Sequence, residues 1–221
     1  ITIPPFRMPH QSASLEGICG GGPQCRPGEI SLAHNGVLFL DEAAEFRSSV
    51  LQTLRVPMEC GSITLSRAGR SSIYPAHFQL IAAANPCPCG NFGVEGKICL
   101  CSIRSVEQYW KKFSAPLLDR IDIMVEVPAV HFEDLRRRAE AEPSSAIKTR
   151  VDTARKTQQR RFSSGSMCNA LMGPDQMRKY CALDEECAEL MKQAFDALGL
   201  TARSYDRILK VARTIADLDD C

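Results

Sequence analysis

The segment that most constrains this chain is Val37-Leu38-Phe39-Leu40, an unbroken apolar run that ends on two carboxylates, Asp41 and Glu42. The run is too short to be a helix with its own core face. Its lack of alternation predicts a strand covered on both faces, as in a parallel sheet. A buried strand is rigid, so charges delivered at its tip are held at a set position outside the sheet. The first carboxylate of such a pair can hold Mg2+, directly or through water. The second can orient and deprotonate an attacking water. The plainer reading is a core strand running into an acidic helix start, which the helix dipole favours. The pair alone does not decide between them.

Other segments of the first half read as strands and short connections. Residues 78–84 predict a second buried strand, and the apolar run at 123–127, ended by Pro128, a third. Residues 62–66 and 72–74 alternate around Ala68-Gly69-Arg70, which predicts a β-hairpin. Residues 48–59 carry apolar side chains at helical spacing, with Pro57 expected to end the helix. The glycine-rich stretch 17–28 reads as loop. Beyond residue 130 the pattern turns helical. Residues 131–162 are charged and interrupted near Pro143, with Ser144 or Ser145 as a cap. After a linker at 163–166, helices are predicted at about 175–180, 184–198 and 202–217, with Gly199 at a C-terminal cap. The expected division is an α/β part at 1–130, a helical connector at 131–162 and a helical domain at 163–221.

Two further residues bear on the carboxylate pair. Asn85 follows Ala82-Ala83-Ala84 at the end of the second predicted strand. In a parallel sheet that tip lies beside Asp41 and Glu42, where an amide can contact a γ-phosphate or position the water. Turn formation ahead of Pro86 is the structural alternative. Arg120 stands between Asp119 and Asp122. It is either a local salt-bridge residue or a charge offered across a subunit boundary, where a guanidinium neutralises charge in phosphoryl transfer.

The order VLFLDE, AAANP, PLLDRID and ARSYDRILKVARTIADL resembles the AAA+ ATPases of the magnesium-chelatase family. The stretch PGEISLAHNGVLFLDE and the segment NPCPCG point within it to the competence-protein group, the ComM-like and YifB-like branch. The resemblance covers nearly the whole chain. It implies a partial AAA+ P-loop-type core with a parallel sheet and β-hairpin, followed by a helical lid. It implies ATP and Mg2+ as cofactors and a ring of subunits. Asp41 and Glu42 match the Walker B pair, with Asp41 on Mg2+ and Glu42 as catalytic base. Asn85 matches sensor 1, Arg120 the arginine finger and Arg203 the sensor-2 arginine. The hairpin resembles one that faces the central pore in ring-shaped relatives, which makes Arg67 and Arg70 candidates for contact with DNA. Ala43-Ala44 stands where the branch more often has Leu-Pro, a change that leaves the carboxylates untouched.

One departure is larger. Nothing in the chain reads G-x-x-x-x-G-K-[ST]; Gly20-Gly21-Gly22 is followed by Pro23 and Gln24. A P-loop needs backbone N–H groups, a lysine for the β- and γ-phosphates and a hydroxyl for Mg2+. The chain therefore reads as a shortened piece or an incomplete gene product. On its own it is expected neither to bind ATP tightly nor to turn it over. The sheet should lack its first strand and the P-loop helix, which leads to self-association or marginal stability.

Cys87, Cys89, Cys99 and Cys101 form two C-x-C pairs around a glycine-rich loop. Three readings stand beside one another: a structural Zn2+ site, free thiols, or a disulfide. The C-x-C spacing strains chelation by one pair without preventing four sulfurs from converging. The eleven cysteines are an odd number, and several, such as Cys181 and Cys187, sit in apolar helical stretches. That fits a reducing cytoplasm and mostly free thiols. Residues 1–10, broken by Pro4, Pro5 and Pro9, do not read as a secretory signal. No apolar run approaches the ~20 residues of a membrane span. The net charge of +1 gives no general reason to expect nucleic acid or an anionic membrane as partner. The clusters Arg136-Arg137-Arg138 and Arg160-Arg161 read first as solvated helix faces and second as phosphate contacts. Tyr109 and Trp110 read as packing residues near Arg120. Three functions follow: an ATP-driven ring motor acting on DNA, a chelatase-type motor inserting Mg2+ into a tetrapyrrole, and a non-catalytic regulatory or interaction fragment.

Overall fold

The computed structural model describes residues 3–67, 70–128, 130 and 141–221. The chain forms two compact units, Ile1–Ala129 and Val130–Cys221. Together they make a mixed α/β protein with a parallel sheet in the first unit and helices alone, among the described residues, in the second.

In the first unit the elements run β1 (Phe6–Arg7), α1 (Leu15–Cys19), β2 (Gly20–Gly21), β3 (Arg26–Pro27), α2 (Glu29–Leu32) and β4 (Val37–Leu40). They continue with α3 (Ser48–Thr53), α4 (Arg55–Cys60), β5 (Ser62–Arg67), β6 (Arg70–Pro75), β7 (Gln79–Ala82), α5 (Ile103–Lys111) and α6 (Ser114–Leu118). The order β1-β4-β7 places β4 at the centre of a sheet parallel on both sides. Leu38 and Leu40 point into a core made with Ile18, Ile30, Phe46 and Leu51. Val37 and Phe39 face the other way and stay half-buried, with Phe6 stacked on Phe39 at 6.0 Å. The strand is thus closed on one face and half-open on the other, which differs from the expectation of cover on both.

β1 is the strand that the proline-rich start conceals. It is held by Val37 N–H donating to the Pro5 carbonyl at 2.8 Å, and by Arg7 bridging bidentately to Glu29 on α2 at 2.6 and 2.7 Å. Glycine at 36 lets the two segments close, because a Cβ there would stand 1.9 Å from the Pro5 oxygen. Gly36→Ala is expected to cost about 1–3 kcal/mol by overpacking this junction. Urea denaturation read at Trp110 checks this, and an unchanged midpoint would remove the junction's importance.

Four expectations need correction. Residues 78–84 do not form a buried strand: β7 is shorter, and its outer edge has no strand partner among the described residues. Residues 123–127 form no strand; Ile123, Met124, Val125 and Val127 lie exposed, and among the described residues no strand pairs with them. Pro57 does not end a helix. The chain breaks at Leu54 instead, and Pro57 sits in the first turn of α4, where the missing N–H costs nothing. Gly17 to Gly28 is also not all loop, since α1 ends in it and the short β2–β3 ladder closes it. The hairpin is as expected, with β5 and β6 antiparallel and Arg67 opposite Arg70 at its tip.

The second unit holds α7 (Ser144–Phe162), α8 (Pro174–Tyr180), α9 (Glu185–Leu198) and α10 (Ala202–Leu218). Pro143 occupies the N-cap of α7, so Ser144 is its first helical residue and neither serine caps it. Asp184 caps α9 through the Cys187 N–H at 2.7 Å, and Gly199 ends that helix in the left-handed conformation. The core is small, with Met172, Met177 and Leu209 surrounded by Phe162, Tyr180 and Tyr205. Arg136, Arg137 and Arg138 lie outside the described residues. Arg161 is not on a solvated face: it turns inward to Asp217.

Candidate functional site

The site begins where β4 ends. Leu40 pairs with Ala82, and the ladder continues past the strands: Ala83 N–H donates to the Leu40 carbonyl at 2.9 Å, and Ala43 N–H to the Ala83 carbonyl at 2.8 Å. The backbone at 41–42 therefore loops out at the tip of the central strand, beside the segment that leads to Asn85. Both carboxylates are exposed, as is Asn85. Asp41 Oδ1 accepts the Glu42 N–H at 3.0 Å. Glu42 adopts φ 48, ψ 45, a left-handed conformation that costs a non-glycine residue about 1–2 kcal/mol. Backbone strain of this kind gathers at sites where the surrounding structure holds a residue in place for a purpose. Here the turn after Glu42 is held from below, since Ala43 and Ala44 are fully buried and Lys112 Nζ donates to the Ala44 carbonyl at 2.5 Å.

The opposite wall of the tip is α5. Trp110 Nε1 donates to the Pro86 carbonyl at 3.0 Å, and the Trp110 ring packs 5.5 Å from Phe113. Buried Tyr109 lies against the Asn85 backbone. Burial and the charge of Glu45 push its phenol above the ordinary value, while the Asn85 backbone works the other way. The two aromatic residues are thus more than packing near Arg120, because they grip the peptide that follows the candidate sensor.

Arg120 finds an ion-pair partner neither sequence reading named, Glu59, 61 residues away in the chain. It pairs with Glu59 at the end of α4 and donates to the Pro116 carbonyl. Its Nε is buried with no partner among the described residues. Arg203 lies exposed in the first turn of α10, in the second unit. Arg67 and Arg70 are placed at the backbone level only, facing each other across the hairpin end.

The four clustered cysteines do converge. Sγ of Cys87 lies 3.4 Å from that of Cys89 and 3.7 Å from that of Cys99, and Cys89 lies 3.6 Å from Cys99. All four sulfurs fall within 4.8 Å of one another. These are not disulfide distances, since a bonded pair sits at about 2.05 Å. A tetrahedral Zn2+ with Zn–S of about 2.3 Å places its sulfurs ~3.8 Å apart, so the residues fit that ion. The Gly90 N–H donates to the Cys87 carbonyl at 3.0 Å and closes the turn Cys87-Pro88-Cys89-Gly90, which Gly90 leaves at φ 76. The Phe92 N–H donates to Cys87 Sγ at 3.3 Å. Cys89 is drawn down to about 6, first by the Asn91 backbone and then by the Cys87 thiol. Although the Cys101 backbone favours its thiolate, burial and the Cys89 sulfur push Cys99 up to about 12.

Residues 1–135 match the family model described as magnesium chelatase, subunit ChlI, and residues 141–221 match that of its C-terminal part. The chain belongs to the magnesium-chelatase family. Among its relatives, the protein YifB of Escherichia coli (strain K12) is 44% identical over 97% of this chain and 42% of its own length. The competence protein ComM of Haemophilus influenzae is 42% identical over 97% of this chain and 41% of its own. A Mycobacterium tuberculosis protein, Rv2897c, is 41% identical over 99% of this chain and 43% of its own. The chain thus spans about two fifths of the length of these curated relatives.

Within this magnesium-chelatase family member, Tyr109 and Trp110 do pack, as expected, but their hold on the Asn85-Pro86 peptide and the Lys112 bond to the Ala44 carbonyl were not read from the sequence. The signal was present but weak: a serine cap at 102, then one amphipathic helix following the last cysteine. Nothing in the spacing says which strand end that helix grips. No described helix is long and apolar enough to cross a membrane.

Proposed function

We propose that a full-length protein carrying this chain is an AAA+ motor that hydrolyses ATP with Mg2+, assembles as a ring and acts on DNA. The observation that carries the reading is the pair Asp41 and Glu42, looped out at the tip of the central parallel strand beside the Asn85 segment. In this reading Asp41 would hold Mg2+, which would supply charge neutralisation for phosphoryl transfer, and Glu42 would orient and deprotonate the attacking water. Asn85 positions that water or the γ-phosphate. Arg120 must leave Glu59 to reach ATP on a neighbouring subunit, and Arg203 takes the sensor-2 role that the family resemblance gives it. The phosphates are gripped by a P-loop on a strand this chain does not carry. The edge of β7 and the apolar run at 123–127, neither with a strand partner among the described residues on that side, fit a sheet that takes a further strand.

DNA as substrate is supported by the likeness to a competence protein and by the hairpin that sets Arg67 opposite Arg70. The same reading assigns a structural Zn2+ to Cys87, Cys89, Cys99 and Cys101. It places the protein in the cytoplasm, where eleven unpaired thiols persist. The family description favours a second reading, a chelatase-type motor that drives Mg2+ into a tetrapyrrole. DNA-stimulated ATP hydrolysis by the full-length protein separates the two. Stimulation that falls steeply with salt is expected, because phosphate contacts release counterions. Hydrolysis indifferent to DNA would support the chelatase reading, and no hydrolysis at all would point to a non-catalytic role.

A further inference from the structure

The insert from Cys87 to Cys101 contains no helix or strand, and Cys87 is its only buried residue. Phe92, Ile98 and Leu100 stand exposed on it. A loop that buries so little apolar surface has no core to hold its shape and needs a cross-link. The four sulfurs meet at its base, two from the chain entering and two from the chain leaving. Cys87 comes two residues after Asn85, and Cys101 immediately precedes Ser102, whose Oγ caps α5 by accepting the Ser105 N–H at 3.2 Å. Helix α5 then runs back to where the insert began, with Trp110 donating to the Pro86 carbonyl at 3.0 Å and Tyr109 against the Asn85 backbone. Strand end, sulfur cluster, helix and aromatic pair form a closed circuit.

We infer that the cysteine centre is a Zn2+ clasp that fixes the Asn85-Pro86 peptide against α5, so that metal occupancy sets the position of Asn85 at the strand tip. This rests on the zinc reading given above and adds what the metal does. Zn2+ binds the four sulfurs as thiolates, and their protons leave to solvent. The Phe92 N–H on Cys87 supplies an outer contact of the kind that orients and tunes a metal ligand. With the metal gone, the ties left among the described residues are the Trp110 and Tyr109 contacts and a long bond from Asn91 Nδ2 to the Ile98 carbonyl at 3.5 Å. Asn85 is therefore a residue positioned by the clasp, and Trp110 is its reporter.

Trp110 is the only tryptophan in the chain, so its emission reads this junction alone. The chain purified without chelator is expected to carry stoichiometric zinc. The Trp110 ring is already partly exposed, so removing the metal with a zinc-selective chelator is expected to shift its emission further to the red and to increase its quenching by iodide. Helical circular dichroism should stay unchanged, and added Zn2+ should reverse the shift. Cys99→Ser should weaken zinc binding by more than the ~10–100-fold that loss of an outer-shell partner costs. Well-folded protein that neither contains nor takes up zinc overturns the metal site itself. Zinc that comes and goes without change at Trp110 leaves the site standing and overturns the coupling, as does a change that appears only with loss of the helical signal. In the full-length protein, zinc removal should lower kcat for ATP about tenfold with KM little changed, since the phosphates are gripped elsewhere. Equal loss in both would overturn the positioning role, and absence of any ATPase activity would fault the motor reading while leaving the Trp110 result intact.

Discussion

Glu42→Gln in a full-length protein is expected to lower ATP turnover by about 10²–10⁴-fold while leaving ATP binding within a few-fold. The argument is local. Glutamine keeps the shape and the hydrogen-bonding reach of the side chain but cannot take a proton, so it separates positioning from base chemistry. Asp41→Asn should behave differently, weakening Mg2+-dependent binding as well as turnover, because its carboxylate is assigned to the metal. The backbone at Glu42 offers a control that ordinary active-site mutations lack. Its left-handed φ of 48 costs about 1–2 kcal/mol, whereas glycine there costs only the ~0.5–1 kcal/mol of added chain entropy. Glu42→Gly should therefore be inactive and no less stable than the parent. Single-turnover hydrolysis, nucleotide titration and urea denaturation measure the three quantities. Turnover by Glu42→Gln within about tenfold of the parent would remove Glu42 as the base. Marked destabilisation by Glu42→Gly would mean that the side chain, and not function, holds the residue in its conformation.

That strained conformation is also a measure of what the sequence could convey. β4 and its two carboxylates were legible because four apolar residues in a row followed by two charges admit few arrangements. The hairpin was legible from its alternation around Ala68-Gly69-Arg70, and the last helices from their extent and from Gly199, a left-handed C-cap in the structure; the N-caps Asp184 and Thr201 were not read. What escaped depends on distant partners. β1 exists only because Val37 and Glu29 reach it, and its two residues carry no periodic signal. The run at 123–127 looks like a strand by composition, yet a strand needs a neighbour to bond with, and none is at hand among the described residues. Pro57 misled because a proline that ends one helix is equally suited to the first turn of another. Convergence of the cysteines was foreseen as one of three readings, while the grip of Tyr109 and Trp110 on Asn85 and Pro86 was not, since it joins residues about two dozen positions apart.

Asp217→Ala is expected to destabilise the second unit by about 3 kcal/mol or more, the scale of breaking a buried ion pair from one side. The Asp217 side chain is fully buried and receives Arg161, Arg213 and Asn169 Nδ2. Asn169 is itself buried and bonds Thr214 at 3.1 Å, and its N–H donates to Gln158 at 3.2 Å, so one carboxylate anchors α7, α10 and the segment between them. Alanine would leave Arg161, whose side chain is 12% exposed, without its counter-charge. In a unit of this size such a loss lowers Tm by more than ~10 °C. Burial pushes the Asp217 carboxyl up, but the hydrogen bonds from Arg161 and Asn169 outweigh it and hold it below the usual carboxylate range. A depressed folded value means that the stabilisation is complete above the unfolded value of about 3.9 and is lost as pH falls through the folded one. The second unit should therefore carry an acid-sensitive arm below about pH 4 that Asp217→Asn removes. The double variant Arg161→Met, Asp217→Leu should recover only part of the stability, since an apolar pair can replace the Arg161–Asp217 ion pair but Arg213 and buried Asn169 Nδ2 would still lose their acceptor. Hydrogen exchange resolved to α7 and α10 across this pH range measures the effect in the whole chain. Equal protection in parent and Asp217→Ala would show that packing of Met172, Met177 and Leu209 alone sustains the unit.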